Sequence, residues 1–98
     1  MSRSLAFRLQ ARREFDAAGD WYEREQPSLG EAFLAEVEQV LRAIIISPDV
    51  FPEEFNGVRK AVVKRFPYCI YFRTRGEVMV VLAVFHSARN PKIWQSRK

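Results

Sequence analysis

His86 is the only histidine in a chain of 98 residues, and the one side chain whose ordinary pKa lies near neutrality. Arg89 follows shortly after it, and Arg65 lies upstream among further cations, Arg59, Lys60, Lys64 and Arg73. An acid/base group beside guanidinium groups is the minimum equipment for metal-free cleavage of an RNA phosphodiester. One group takes the 2′-hydroxyl proton, a cation stabilises the phosphorane, and an acid protonates the leaving oxygen. His86, Arg89 and Arg65 are therefore the candidate catalytic residues, although proton-transfer groups are scarce: no tyrosine follows Tyr71. An equally good account makes His86 a strand-end residue hydrogen-bonded to backbone.

Other chemistries fail on composition. A single cysteine, Cys69, excludes an internal disulfide, and with a single histidine it excludes a Cys/His zinc cluster built from this chain alone. Asp16, Asp20, Glu23, Glu36 and Glu38 read as solvated helix faces, not as a metal site. His86 beside Ser87 lacks the third, orienting carboxylate of a nucleophilic triad. Gly19, Gly30, Gly57 and Gly76 are too scattered to cradle a phosphate, so no metal or cofactor is expected.

The charge is divided unequally. Residues 1–56 carry six basic and eleven acidic side chains, a net −5, whereas residues 57–98 carry ten basic and one acidic, Glu77, a net +9. A field of that sign draws polyanions or an acidic protein segment, while scattered solubilising charge normally mixes both signs. Trp21 falls about 100° around its helix from Tyr22, off the apolar line, so that a partner chain is nearly as good a destination for it as the core. Trp21, Arg59, Arg65, Arg73 and Trp94 are the expected partner contacts.

These residues need elements to carry them. Leu5, Phe7 and Leu9 alternate over Ser4 to Gln10, which predicts a strand. Ala11, Phe15, Ala18 and Tyr22 recur at helical spacing, with Arg12/Asp16 and Asp20/Arg24 as opposite-charge pairs, which predicts a helix over 11–25. Pro27 breaks it, and Ser28 with Glu31 forms a capping box that starts a second helix. Leu29, Phe33, Val37, Val40, Leu41, Ile44 and Ile45 give that helix its stripe, and Ser47-Pro48 ends it. A link this short predicts an antiparallel helical hairpin. Residues 48–57 read as a loop. Strands over Val58–Phe66, Tyr68–Thr74 and Glu77–His86, with corners at Pro67 and Gly76, make a meander. Val78 to Phe85 is apolar without alternation, as in a central strand covered on both faces, and a helical turn follows Pro91. The fold class is α+β in one domain: an N-terminal strand and a helical hairpin packed on an antiparallel sheet. No apolar run is long enough to span a bilayer and Arg8 interrupts any signal-peptide core, so the expectation is a cytoplasmic protein.

The order strand, hairpin, meander, together with Arg65-Phe66-Pro67-Tyr68, Ile70-Tyr71-Phe72 and the run Val81 to Pro91, resembles the RelE/ParE superfamily of bacterial type II toxins. The resemblance covers nearly the whole chain, and Asp20-Trp21-Tyr22 also resembles the family's first helix. The His-x-x-Arg-x-Pro-x-x-Trp segment from His86 to Trp94 is its most specific part. It implies a toxin made with a cognate antitoxin whose toxin-binding segment is helical and acidic or mixed in charge, and which alone contacts operator DNA. RelE-like members cleave mRNA on the ribosome, and ParE-like members inhibit DNA gyrase. In RelE-like enzymes a tyrosine or histidine near the C-terminus does acid/base work; Trp94 and the lack of a late tyrosine make this chain resemble the ParE-like branch more.

Overall fold

The computed structural model describes residues 3–98. The alternation of Leu5 and Phe7 holds only for β1 (Ser4–Phe7). Arg8 then donates its backbone N–H to the Val81 carbonyl and accepts from Arg12 N–H, so helical bonding begins earlier than the sequence pattern suggests. Helix α1 (Leu9–Glu25) therefore includes Leu9, which is 60% exposed. It buries Ala11, Phe15 and Ala18, the expected stripe. Arg12 and Asp16 pair at 3.3 Å; among the described residues no ion pair joins Asp20 to Arg24.

Helix α2 (Leu29–Ile46) buries Phe33, Val37, Leu41 and Ile44. Its first turn is not closed by a capping box, because Ser28 sits at φ 73 and its side chain caps nothing. The Glu23 carboxylate does that job from α1, accepting the Ser28 and Gly30 N–H groups at 2.9 Å each. Anionic oxygens at a helix N-terminus satisfy orphan donors and complement the helix dipole. Glycine is required at position 30: a Cβ there would lie 2.7 Å from the Gly19 carbonyl oxygen. At the other end, Arg3 donates to the Ile45 and Ile46 carbonyls, closing the last turn of α2.

The expected loop at 48–57 is more ordered than its prolines suggest. A 3-10 turn, Pro48–Val50, leads into a short strand β2 (Glu53–Phe55). Then come β3 (Val58–Val62), shorter than the expected span to Phe66, β4 (Tyr68–Arg75) and β5 (Val78–His86). The sheet order is β1-β5-β4-β3-β2. The meander is antiparallel as expected, but β1 joins β5 in parallel, Ser4 opposite Val78 through Phe7 opposite Val81. The strand covered on both faces is β5, which lies inside the sheet between β1 and the middle strand β4.

Between β4 and β5 the register shifts: Tyr71 faces Ala83 whereas Phe72 faces Val81. The extra residue keeps Val81 and Val84 both on the helix-facing core, with Ile70, Phe72 and Phe33, while Leu82, Ala83 and Phe85 face the second cluster. Without this bulge one of the two sets would turn to the wrong face. The second cluster is closed by α3 (Lys92–Gln95), the expected turn after Pro91, through Trp94. Among the described residues no helix is long and apolar enough to cross a membrane.

Candidate functional site

Strand β5 outruns its neighbour. The β1 pairing ends at Phe7 opposite Val81, so the backbone beyond it must find other partners. Two side chains supply them. Glu14 Oε1 on α1 accepts the Val84 N–H at 3.1 Å, and Arg97 donates to the Leu82 carbonyl at 3.0 Å. The two side chains also pair with each other as a fork, at 2.9 and 3.0 Å. Each is only 14% exposed, which makes this a charge-assisted, largely desolvated contact. The strand edge is thus sealed by an ion pair instead of a strand.

Beside that seal lies a groove of about 260 Å³ between α1 and the end of the sheet, whose lining includes Glu14, Ala17, Trp21, Tyr68, His86 and Arg89. It adjoins a second groove of about 380 Å³ that shares Trp21, Tyr68 and His86 and reaches Tyr22 and Pro67. Trp21 is 50% exposed and is braced edge-on by Tyr22, ring centroids 5.0 Å apart. Opposite, Tyr68 and His86 are cross-strand neighbours in an edge-to-face pair at 5.2 Å. Ala88 N–H donates to His86 Nδ1 at 3.0 Å, which places the proton of the neutral ring on Nε2. Burial, reinforced by Tyr22 and Glu14 and opposed by Arg89, pushes the Tyr68 phenol above its ordinary pKa, so it remains a neutral hydroxyl at physiological pH.

Arg89 reaches Glu14 at 3.5 Å, and its guanidinium lies 4.3 Å from the Phe85 ring centroid. His86 and Arg89 therefore share the groove. Arg65 does not line it: held at φ 71, it pairs with Glu36 of α2 at 3.2 Å. Arg59 is folded into structure, donating to the Asp49 and Phe51 carbonyls and fixing the turn before β2. Arg73 lies on β4, half-buried opposite Val80. Trp94 departs from the expectation of a partner contact. It is 2% exposed, stacked on Tyr71 at 4.0 Å, with Phe55 edge-on at 6.2 Å, and so belongs to the core. Burial pushes the Tyr71 phenol up to about 12.

Glu14 and Arg97 were not singled out by motif, and Tyr68 stood only within the Arg65-Phe66-Pro67-Tyr68 segment of the family resemblance, with no site role. Glu14 carried a signal nonetheless: it occupies the same helical stripe as Ala11 and Ala18, where an acid has no solvated place. No group of three or more His, Cys, Asp or Glu side chains among the described residues could hold a metal ion.

The profile of a family described as "ParE toxin of type II toxin-antitoxin system, parDE" matches residues 5–91. The chain belongs to the ParE toxin family. That span takes in Glu14, Trp21, Tyr68, His86 and Arg89, and stops short of Trp94 and Arg97. A solved structure described as the "Chromosomal ParDE TA system from P. aeruginosa" is similar over 87% of this chain and 96% of that one, with 24% identity and a TM-score of 0.62. At that identity the likeness establishes the ParE fold. No curated protein matches the chain by sequence.

Proposed function

We propose that this ParE-family chain is the toxin of a type II pair, held inactive in the cytoplasm by a cognate antitoxin, and that it inhibits DNA gyrase by binding the enzyme and not by cleaving RNA. Operator DNA is reached only through the antitoxin. The observation that carries the choice between mechanisms is the position of Arg65. A nuclease of the RelE kind would need His86, Arg89 and Arg65 around one phosphate, whereas Arg65 is turned to Glu36 and lies outside the groove that the other two share. The remaining hydroxyl there, Tyr68, has its pKa raised by burial and is a poor acid or base.

The test uses the purified chain on two targets. Gyrase supercoiling should be blocked, or cleaved DNA–gyrase complexes should accumulate, while ribosome-bound mRNA stays intact. At matched abundance, His86→Ala should leave growth inhibition unchanged. His86 and Arg89 do share one groove, so the ribosome-dependent endoribonuclease is the competing reading. It wins if codon-phased mRNA cuts appear, fall about 10²- to 10⁴-fold with His86→Ala, and leave gyrase untouched.

A further inference from the structure

The groove between Trp21 and Tyr68 is built to hold a side chain. Its walls are rings already fixed by their neighbours, Trp21 by Tyr22 and Tyr68 by His86, and Ala17 adds little bulk to the lining. Rigid aromatic walls lose little entropy when they close on a partner. Trp21 presents half its surface to solvent, the arrangement of an anchor awaiting a second chain.

The charge at the end of the groove fixes the sign of the ligand. Glu14 is satisfied by the Arg97 fork and the Val84 N–H. That leaves Arg89, 47% exposed, with one long polar contact to Glu14 at 3.5 Å and its guanidinium face against the Phe85 ring. Two guanidinium groups against one carboxylate leave a net positive charge, and the more exposed of the two is Arg89. A single guanidinium suits an isolated carboxylate. A polynucleotide would need a track of cations along its backbone, and no lysine lines this groove.

We infer that this groove docks an acidic segment of the antitoxin, with an aliphatic or aromatic side chain between Trp21 and Tyr68 and a nearby carboxylate on Arg89. The inference rests on the toxin–antitoxin reading above and adds the location and the chemistry of the contact.

The probe is the protein encoded by the reading frame adjoining the gene for this chain, titrated against the chain and its variants by calorimetry at several salt concentrations. Trp21→Ala should weaken binding about 10- to 100-fold. Arg89→Gln should weaken it about tenfold and flatten its salt dependence. Val62→Ser, at an exposed apolar position on β3 outside the groove, should stay within about threefold of the parent. Thermal melts should leave the three variants close to the parent, which separates lost contact from lost fold. Binding within about threefold for both groove variants would overturn the docking site while leaving the toxin–antitoxin pairing standing. A probe that does not bind the parent chain would overturn the pairing itself. Labelled single-stranded RNA that binds the parent and is lost with Arg89→Gln, the protein probe being unaffected, would reassign the groove to nucleic acid.

Discussion

The two tryptophans divide the molecule into regions that follow opposite rules. Around Trp94, on the sheet face away from the helical hairpin, the indole stacks on Tyr71 at 4.0 Å and is 2% exposed. Around Trp21, on the side of the helices, the rings bound an open groove and the indole is 50% exposed. The same residue type holds one region shut and leaves the other ready to bind. Arginines repeat the contrast on one carboxylate: Arg97 is locked to Glu14 by a fork, whereas Arg89 touches it at 3.5 Å and is half-exposed. Trp94 is thus locked inside its cluster, whereas Trp21 is the ring that the proposed docking would use.

The largest expected effect breaks that division if it fails. Trp94→Ala should destabilise the isolated chain by about 3 to 5 kcal/mol, as removal of a buried aromatic does, while Trp21→Ala should cost less than about 1 kcal/mol. Urea unfolding of the free proteins measures both. Comparable losses would mean that Trp21 is a core residue and the groove an accident of packing.

A second pair of variants sharpens the contrast at Glu14. Arg97→Ala strands a largely buried carboxylate and should cost about 3 kcal/mol. Arg89→Ala removes a half-exposed pair and should cost less than about 1 kcal/mol. The double variant Glu14→Gln with Arg97→Ala should recover part of the first loss, because no charge is then stranded. Denaturant midpoints of the set would show a failure as equal costs for the two arginines.

The smallest effect is in the tyrosines. Tyr71, under Trp94, has its pKa raised to about 12; Tyr68, in the groove, is raised by partial burial with a counteracting pull from Arg89. A phenol whose folded pKa exceeds the unfolded value of about 10 contributes evenly below that value. Above it, the unfolded chain has lost the proton that the folded chain keeps, so stability falls as pH rises from about 10 towards 12, by at most about 1.4 kcal/mol per unit. Absorbance titration near 295 nm should find Tyr71 ionising after Tyr68. The reverse order would place the tighter packing on the wrong side of the sheet.

How much of this was legible depended on distance along the chain. The stripes Ala11, Phe15, Ala18 and Phe33, Val37, Leu41, Ile44 mark their helices because periodicity is local, and the unalternating Val78 to Phe85 run marks a strand covered on both faces for the same reason. Ser28 and Glu31 satisfied the capping pattern, but Ser28 went to a left-handed backbone and Glu23 took its place from the preceding helix. That substitution spans only five to seven residues, but it follows from the left-handed turn at Ser28, which the capping pattern does not mark. The parallel β1–β5 pairing, Arg65 turning to Glu36, and the Glu14–Arg97 fork are likewise set by tertiary geometry. Trp94 sits in a basic tail and reads as a partner contact, whereas its burial comes from stacking on Tyr71 and from Phe55, both distant in sequence. Of the groove, His86, Arg89 and Trp21 were visible as residue types, whereas the wall that joins them, Tyr68, was visible only as a strand residue and as one position of the family motif.

The fork joins residues 83 positions apart, and that separation has a consequence during synthesis. Glu14 leaves the ribosome before its partner, inside a helix that can form within microseconds. Its guanidinium arrives 83 residues later. Until then the Val84 N–H and the Leu82 carbonyl face water, and a nascent chain meets its surroundings with one flank of β5 unclosed. An extended peptide present at that moment would find backbone donors and acceptors that the finished molecule no longer offers.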